Sequence, residues 1–259
     1  MTAAIQRILL AIAGFALRRG LLATAPGRAL FETAYQAYKS VLEAPAIDSL
    51  HPFVGPGDWV IDVGANAGFF SRRFARWATD GGRVIAIEPA PDNIARLHAN
   101  LARWRLGGRV DVVAAAATDT DGETTLALDP GNPADHRLSD KGETVKAVTL
   151  DQLVAGYGDP RIGLVKIDVQ GAEPLVLAGA KALIARDRPI LVIEVSEQIE
   201  SVAGVPRAEM IHSLMADGYI ARRLTRRGLG PVLDRDGLDR LTAEAWYYDL
   251  VLIAPGAEG

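Results

Sequence analysis

WVIDVGANAGFF, residues 59–70, runs from an apolar segment into two glycines and returns at once to aromatic residues. A solvent-exposed turn would be more polar. A strand that ends in a glycine-rich turn and feeds a helix lets a bulky ligand approach the backbone, because side chains at Gly64 and Gly68 would block that approach. Asn66, between them, tolerates a left-handed backbone. The stretch therefore predicts a ligand-binding strand–turn–helix unit, although packing alone can also shape a single glycine-rich turn.

Outward from this unit, short apolar runs alternate with segments of helical period. Four further strands are predicted at 83–89, 109–117, 164–171 and 188–196, and helices at 69–77, 94–104, 175–186 and 210–217. Strands that alternate with helices indicate a parallel sheet covered on both faces. The chain is therefore expected to form an α/β, doubly wound fold.

The C-terminal part departs from this alternation. Residues 218–224 and 246–255 read as strands, and the Gly- and Pro-containing connection at 225–245 predicts a loop and a closing antiparallel hairpin. Residues 125–150 read as an insertion, with two strands around a polar loop in the outer region of the sheet. That loop is the candidate substrate lid, because loops carry specificity on a rigid scaffold.

Composition limits the classes of protein that fit. The chain has 259 residues, of which 49% are hydrophobic and 23% charged, so it can bury a large core. The net charge of −4 gives no overall attraction to nucleic acid or to an anionic membrane. The chain has no cysteine, which excludes disulfides, thiolate metal sites and thiol nucleophiles.

The first 50 residues are predicted to be a helical extension, and residues 51–259 the main domain. Arg7 precedes an apolar stretch at 8–17, and Arg18 and Arg19 follow it. Ten residues are too few to span a bilayer as a helix, which needs about 20. Two interpretations remain open: an amphipathic helix that packs on the domain or on a second subunit, and attachment to a membrane surface. We expect a cytoplasmic protein in either case.

The second predicted strand ends in Glu88 and Pro89, and this carboxylate follows Gly68 by twenty residues. An acidic residue at this strand end binds ribose hydroxyls in doubly wound nucleotide-binding folds. Dinucleotide enzymes need the spacing G-x-G-x-x-G, whereas Gly64 and Gly68 form G-x-x-x-G, two residues after Asp62. The spacing disfavours a nicotinamide-dependent oxidoreductase, which stays an alternative together with a non-catalytic binding module.

The D-x-G-x-x-x-G pattern resembles motif I of Rossmann-like S-adenosylmethionine-dependent methyltransferases. The order of DVGANAGFFS, RVIAIEPAPDNIARLHANL, AAAATDTDGETTL, AVTLDQLV and LVKIDVQGAEPLVLAGA resembles the FkbM family of these enzymes over about residues 55–195. The resemblance implies a class I methyltransferase fold, with a mostly parallel seven-stranded sheet and N-terminal helices before it. Gln170 departs from the family pattern, which has Glu there, so a metal or base role at that point is in doubt.

The resemblance also implies a cofactor site for S-adenosylmethionine. The residues around the methionine part would be Asp62, Gly64, Ala65, Asn66, Gly68 and Phe69. Glu88 would take the ribose, with Pro89 shaping the turn beside it. Ala116, Ala117 and Thr118 would border the adenine at the end of the third strand, and Asp168 would end the fourth strand at the rim.

Methyl transfer to a hydroxyl of a sugar or another small metabolite needs alignment and usually a base. Lys166 and Asp168 lie on one side of their strand by period-2 alternation, where they form either an inert ion pair or catalytic groups. Asp168 and Glu194 end consecutive strands, so they could produce a base or share Mg²⁺. His136 in the polar loop is a further candidate base, and Glu173 fits either a rim role or a helix-dipole role.

Overall fold

A computed structural model describes residues 44–128, 136–196, 201–202, 204–245 and 247–256. The apolar stretch at 8–17 and the tip of the predicted lid loop, 129–135, lie outside the described residues. The strands are β1 Trp59–Val63, β2 Val84–Ile87, β3 Val110–Val113, β4 Ala116–Ala117, β5 Gly122–Ala127, β6 Arg137–Leu138, β7 Glu143–Val148, β8 Ile162–Ile167, β9 Ile190–Ser196, β10 Ile220–Thr225, β11 Gly228–Leu233 and β12 Tyr247–Ile253.

The helices alternate with these strands, and a 3₁₀ turn at His51–Phe53 precedes β1. They are α1 Ala44–Asp48, α2 Phe69–Trp77, α3 Pro91–Trp104, α4 Leu150–Gly156, α5 Glu173–Ala178, α6 Lys181–Asp187, α7 Arg207–Ala216 and α8 Arg235–Glu244. Within the described ranges, no helix is long and apolar enough to cross a membrane.

The main sheet confirms the predicted doubly wound α/β architecture. Its order is β11-β10-β12-β9-β8-β1-β2-β3. Strands β3, β2, β1, β8 and β9 are mutually parallel, whereas β12 is antiparallel to both β9 and β10. The carboxyl ends of the five parallel strands therefore meet at one edge, where such folds bind ligands.

The sheet has eight strands among the described residues, one more than predicted, because the connection at 225–245 is not a loop. It contains β11, which pairs with β10 in a tight hairpin, and then α8. Pro231 is tolerated in β11 because this strand lies at the edge of the sheet. Asp234 begins α8 as its N-cap, with its side chain accepting from the Gly237 N–H at 2.7 Å.

The predicted third strand is divided between two sheets. β3 ends at Val113, and β4 belongs to a second sheet with the order β4-β7-β5-β6. The insertion therefore forms a sheet of its own rather than extending the outer region of the main one. The predicted helix at 175–186 is also divided, into α5 and α6, with Gly179 and Ala180 between them. An added Cβ at Gly179 would lie 2.1 Å from the carbonyl oxygen of Thr118.

Two apolar cores lie on the two faces of the main sheet. One contains side chains of α4 to α8, and the other contains those of α1, α2 and α3. Residues of α1 and the following turn, including Ala44, Ile47 and Leu50, are buried in the second core. The second core lies on the face where the polar side chains described below emerge.

Candidate active site

The turn after β1 has three residues with a left-handed backbone, Gly64 at φ +78°, Asn66 at +49° and Gly68 at +86°. An added Cβ at Gly64 would lie 1.9 Å from the carbonyl oxygen of Asp168, and one at Gly68 would lie 2.5 Å from Leu97 Cδ1. The expected reason for these glycines was the approach of a ligand. The structure gives a more immediate reason, since the protein's own atoms already fill both positions.

Glu88 faces this turn and connects it to the next helix. Its Oε2 accepts the Asn66 N–H at 2.8 Å, and its Oε1 accepts from the Ala90 N–H at 3.0 Å and Asn93 Nδ2 at 3.1 Å. The residue is only 4% exposed. Burial raises the pKa of Glu88, while these hydrogen bonds act in the opposite direction. The carboxylate predicted to bind ribose thus also holds the turn that would receive the cofactor.

Glu88→Gln is expected to weaken S-adenosylmethionine binding by about tenfold to a hundredfold, because the new amide N–H₂ and the Asn66 N–H cannot both be satisfied. Isothermal titration calorimetry measures the change. Glu123→Gln, which removes the same charge from an exposed position on β5, is the matched control. Equal affinity in wild type and Glu88→Gln would show that Glu88 does not serve the cofactor site.

Asp62 lies beneath the turn at the end of β1. It is 1% exposed, and its Oδ2 accepts a hydrogen bond from Ser71 Oγ at 2.6 Å. Ser71 belongs to α2, so this bond joins the strand to the helix across the turn. Phe69 and Phe70 begin α2 with an edge-to-face contact at 4.9 Å between ring centroids. Sequence reasoning missed Ser71, although its position on the first turn of a predicted helix could have been noted.

Lys166 lies on β8 directly beside Asp62, since the two residues are register partners. It is 2% exposed, its Nζ lies 2.8 Å from Asp168 Oδ2, and the same atom lies 4.5 Å from the centroid of the Phe70 ring. A buried ammonium is stabilised by such an ion pair and by an aromatic face. Lys166 on β8 and Asp168, directly after the end of that strand, therefore form an ion pair. Whether the pair is inert or catalytic stays open.

Polar side chains also lie at the ends of the strands next to β8. The pairs Ile167–Ile193 and Lys166–Val192 align β8 with β9, so Asp168 and Glu194 follow at the same level of adjacent strands. Glu194 pairs in register with Asp249 on β12, and its Oε2 accepts from the Tyr247 hydroxyl at 2.8 Å. Tyr247 and Asp249 were missed because a contact with a strand 53 or more residues away along the chain cannot be read from spacing.

The contacts of Asp168 and Glu194 bear on the expected Mg²⁺ site. Asp168 bonds an ammonium group, which would repel a divalent cation held by the same carboxylate. Among the described residues, no group of three or more His, Asp or Glu side chains could hold a metal ion. These side chains fit an ion pair and a hydrogen-bonded carboxylate better than a divalent cation.

The remaining predicted site residues lie after β2 and in the second sheet. Pro89 is half-buried between Glu88 and α3. Ala116, Ala117 and Thr118 are buried, but they lie on and just after β4 of the second sheet rather than at the end of the third strand. His136 directly precedes β6 in the same sheet and is half-buried. The assignment of the alanines and Thr118 to adenine, and of His136 to catalysis, stays a prediction.

Glu173 has a structural role that its sequence position alone does not reveal. It is 1% exposed, its Oε1 accepts the Gly171 N–H at 2.8 Å, and its Oε2 lies 3.3 Å from Arg207 Nε on α7. Burial raises the pKa of Glu173, while the Gly171 N–H and Arg207 lower it. This buried pair fastens the loop that follows Asp168 to the start of α7. In the same loop, Gln170 has a left-handed backbone with φ +46°.

The main sheet, its C-terminal antiparallel strands and the glycine turn define the class I methyltransferase fold. A family model described as the methyltransferase FkbM domain matches residues 62–226. The chain therefore belongs to the FkbM methyltransferase family.

The proteins similar to this chain include two curated methyltransferases and one solved structure. The 31-O-demethyl-FK506 methyltransferase FkbM of Streptomyces tacrolimicus is 37% identical over an aligned length of 158 residues, and the match covers 49% of this chain and 60% of that protein. The hexuronic acid methyltransferase AglP of Haloferax volcanii is 32% identical over 124 residues, which are 47% of this chain and 49% of that protein.

The third is a solved structure. The crystal structure of a methyltransferase FkbM from Methylobacillus flagellatus matches with a TM-score of 0.50 and 20% identity, over 76% of this chain and 43% of that one. At this identity the match supports the fold alone. The chain thus spans between about two fifths and three fifths of the length of these three proteins.

Proposed function

We propose that the protein transfers a methyl group from S-adenosylmethionine to a hydroxyl of a sugar or another small metabolite. The observation that carries the proposal is the adjacency of two sites on one face of the sheet. The turn held by Glu88 lies beside the ion pair of Lys166 and Asp168, and Gly64 contacts the Asp168 backbone. The names of the similar proteins, one acting at an oxygen and one on a hexuronic acid, support the same chemistry.

The cofactor would be held along the glycine turn. The donors and acceptors there fit its parts, because Asp62 offers a buried carboxylate near the expected amino group and Glu88 offers one near the expected ribose. S-adenosylmethionine supplies the electrophilic methyl group on a positively charged sulfur. The protein's own task is then to orient the acceptor oxygen in line and to exclude water.

Asp168 is proposed as the group that takes the proton of the acceptor hydroxyl. Its carboxylate is at the rim, with a side chain that is 16% exposed, and Lys166 holds it from below. Glu194, with Tyr247 bonded to it, would accept a hydrogen bond from a neighbouring hydroxyl of the acceptor. His136 is the alternative base. If the Asp168→Asn variant retained methyltransferase activity, that result would favour His136.

Lys166→Met is expected to lower kcat by about a hundredfold or more, since it removes the cation that orients the proposed base. The assay measures methyl transfer from labelled S-adenosylmethionine to a panel of monosaccharides and polyols. Lys146→Met, on the exposed face of β7, is the matched control. An unchanged kcat in Lys166→Met would indicate that the ion pair of Lys166 and Asp168 has only a structural role.

The cofactor half of the proposal has its own test. Calorimetric titration of the wild type with S-adenosylmethionine should show saturable binding in a medium free of metal ions. No binding would defeat the proposal. Tight binding without transfer to any acceptor would favour the non-catalytic module instead, and NAD retained on purification would favour the oxidoreductase. We also propose that the protein is cytoplasmic. A homodimer formed through residues 1–50 is a further proposal, which light scattering would test.

A further inference from the structure

Ser71 is a buried polar residue whose presence the proposed reaction does not account for. It lies in the first turn of α2, at the end of the DVGANAGFFS motif, and it is 0% exposed. Its Oγ donates to Asp62 Oδ2 at 2.6 Å, so the hydroxyl is directed toward the end of β1. Burying a hydroxyl costs free energy that an alanine at the same position would avoid. The serine is therefore explained by what its hydrogen bond does to Asp62.

The surroundings of Asp62 show why its carboxylate needs to be held. Asp62 is 1% exposed and is the register partner of Lys166 on β8. The Lys166 ammonium bonds Asp168 Oδ2 at 2.8 Å. A carboxylate beside an ammonium group is attracted toward it, most strongly where water is excluded. The bond from Ser71 anchors the Asp62 carboxylate on the side of α2 and opposes a rotation toward Lys166.

The hydrogen bond between Ser71 and Asp62 also has the strength to fix an orientation. The last side-chain torsion of an aspartate is broad, so packing alone sets it poorly. At 2.6 Å the bond has the length of one between a hydroxyl and an ionised carboxylate, which is about twice as strong as a bond between neutral groups. Holding one carboxylate oxygen fixes the direction in which the other oxygen points.

We propose that Ser71 is a positioning residue for the amino-acid part of S-adenosylmethionine, because it orients the Asp62 carboxylate that receives the amino group of the cofactor. This inference rests on the proposed placement of the cofactor along the glycine turn. Glu88, the carboxylate proposed for the ribose, is held instead by donors of the glycine turn and of the start of α3. Two separate networks thus orient the two carboxylates, one for each part of the cofactor.

Two ligands distinguish these networks in a binding experiment. S-adenosylhomocysteine and methylthioadenosine share the adenosine thioether, and only the first has the amino and carboxylate groups. Ser71→Ala should raise the Kd of S-adenosylhomocysteine about tenfold, as expected for the loss of one hydrogen bond to a charged group, and should leave the Kd of methylthioadenosine unchanged. Glu88→Gln should raise both Kd values, because both ligands contain the ribose. Isothermal titration calorimetry of wild type and the two variants measures these changes.

A double-mutant cycle tests whether Ser71 acts through Asp62. Asp62→Ala should itself weaken the binding of S-adenosylhomocysteine. Adding Ser71→Ala should then cause no further loss, because no carboxylate is left to orient. Losses that add in the double variant would show that Ser71 acts in another way and would overturn the inference. The cycle needs S-adenosylhomocysteine alone, so it decides the question independently of the affinity for methylthioadenosine.

Ser49→Ala is the matched control, because Ser49 Oγ also donates a hydrogen bond of 2.6 Å, to the Ala46 carbonyl, from a half-buried position after α1. It should bind both ligands like wild type. Thermal unfolding checks that each variant is folded. If Ser71→Ala does not fold, Ser71→Cys, with a weaker donor of similar size, should show a smaller loss for S-adenosylhomocysteine alone. Equal losses for both ligands, or no loss for S-adenosylhomocysteine, would overturn the inference, whereas a wild type that binds neither S-adenosylmethionine nor S-adenosylhomocysteine would defeat the proposed function itself.

Discussion

Gly64→Ala should lower the free energy of unfolding by about 4 kcal/mol or more and abolish binding of S-adenosylmethionine. The new Cβ would lie 1.9 Å from the Asp168 carbonyl oxygen and 2.9 Å from its carbon. Both are backbone atoms, so no side-chain rotation can relieve the overlap. The ends of β1 and β8 would have to separate, which breaks the hydrogen bond from the Asp168 N–H to Val63 at 3.0 Å. Chemical denaturation and calorimetry measure the two losses.

Gly81→Ala is the control that separates the effect of backbone strain from the effect of the steric overlap at Gly64. Gly81 has φ +90°, but an added Cβ there meets no atom within 4 Å. The free energy of unfolding of this control should fall only by the cost of placing alanine in a left-handed conformation, about 1 kcal/mol. Its affinity for the cofactor should be unchanged. If Gly64→Ala lowered the free energy of unfolding no more than Gly81→Ala does, the contact between the turn and Asp168 would not be important for stability.

The contact at Gly64 also has a consequence for function. The glycine turn belongs to the proposed cofactor site, and Asp168 belongs to the proposed acceptor site. Because their backbones touch, displacement of one is expected to displace the other. The same alignment matters for the chemistry, since an in-line transfer is sensitive to errors of about 1 Å between the reacting groups. Glycine at position 64 is therefore expected to serve stability and reaction geometry together.

Much of this site could be predicted because its features are local in sequence. The alternation of strands and helices predicted the parallel sheet, and parallel strands bring their carboxyl ends to one edge. Period-2 alternation predicted that Lys166 and Asp168 lie on one side of their strand, and the two side chains form an ion pair. The glycine turn and Glu88 were recognised from spacing, and the structure brings them together through the Asn66 N–H.

The features that could not be predicted depend on distant partners. Ala116 and Ala117 continue the apolar run of β3, yet they pair with Ala147 and Val148 in another sheet. Strand β11 contains Pro231 and two glycines, which disfavour a central strand but are accepted at the sheet edge. In both cases local propensity is overridden by the choice of pairing partner.

Arg207→Met is expected to lower the free energy of unfolding by about 3–5 kcal/mol, because it leaves a carboxylate buried without its counter-charge. Arg207 is 6% exposed and Glu173 is 1% exposed, so solvent cannot replace the lost partner. The double variant Arg207→Met, Glu173→Gln should recover most of the loss. Its amide oxygen can still accept the Gly171 N–H, and no charge remains to be buried. Urea denaturation of both variants and wild type measures the coupling.

The pH dependence of Arg207→Met distinguishes this mechanism from a loss of packing. The pKa of Glu173 is raised by burial, and Arg207 acts to lower it. Removing Arg207 raises the folded-state pKa further, while the unfolded-state pKa is unchanged. The folded variant then binds more protons than the unfolded chain, so its deficit relative to wild type should shrink as the pH falls through the folded-state pKa of Glu173 and grow toward neutral pH. A deficit that is constant with pH, or that persists in the double variant, would indicate that packing rather than a buried charge sets the loss.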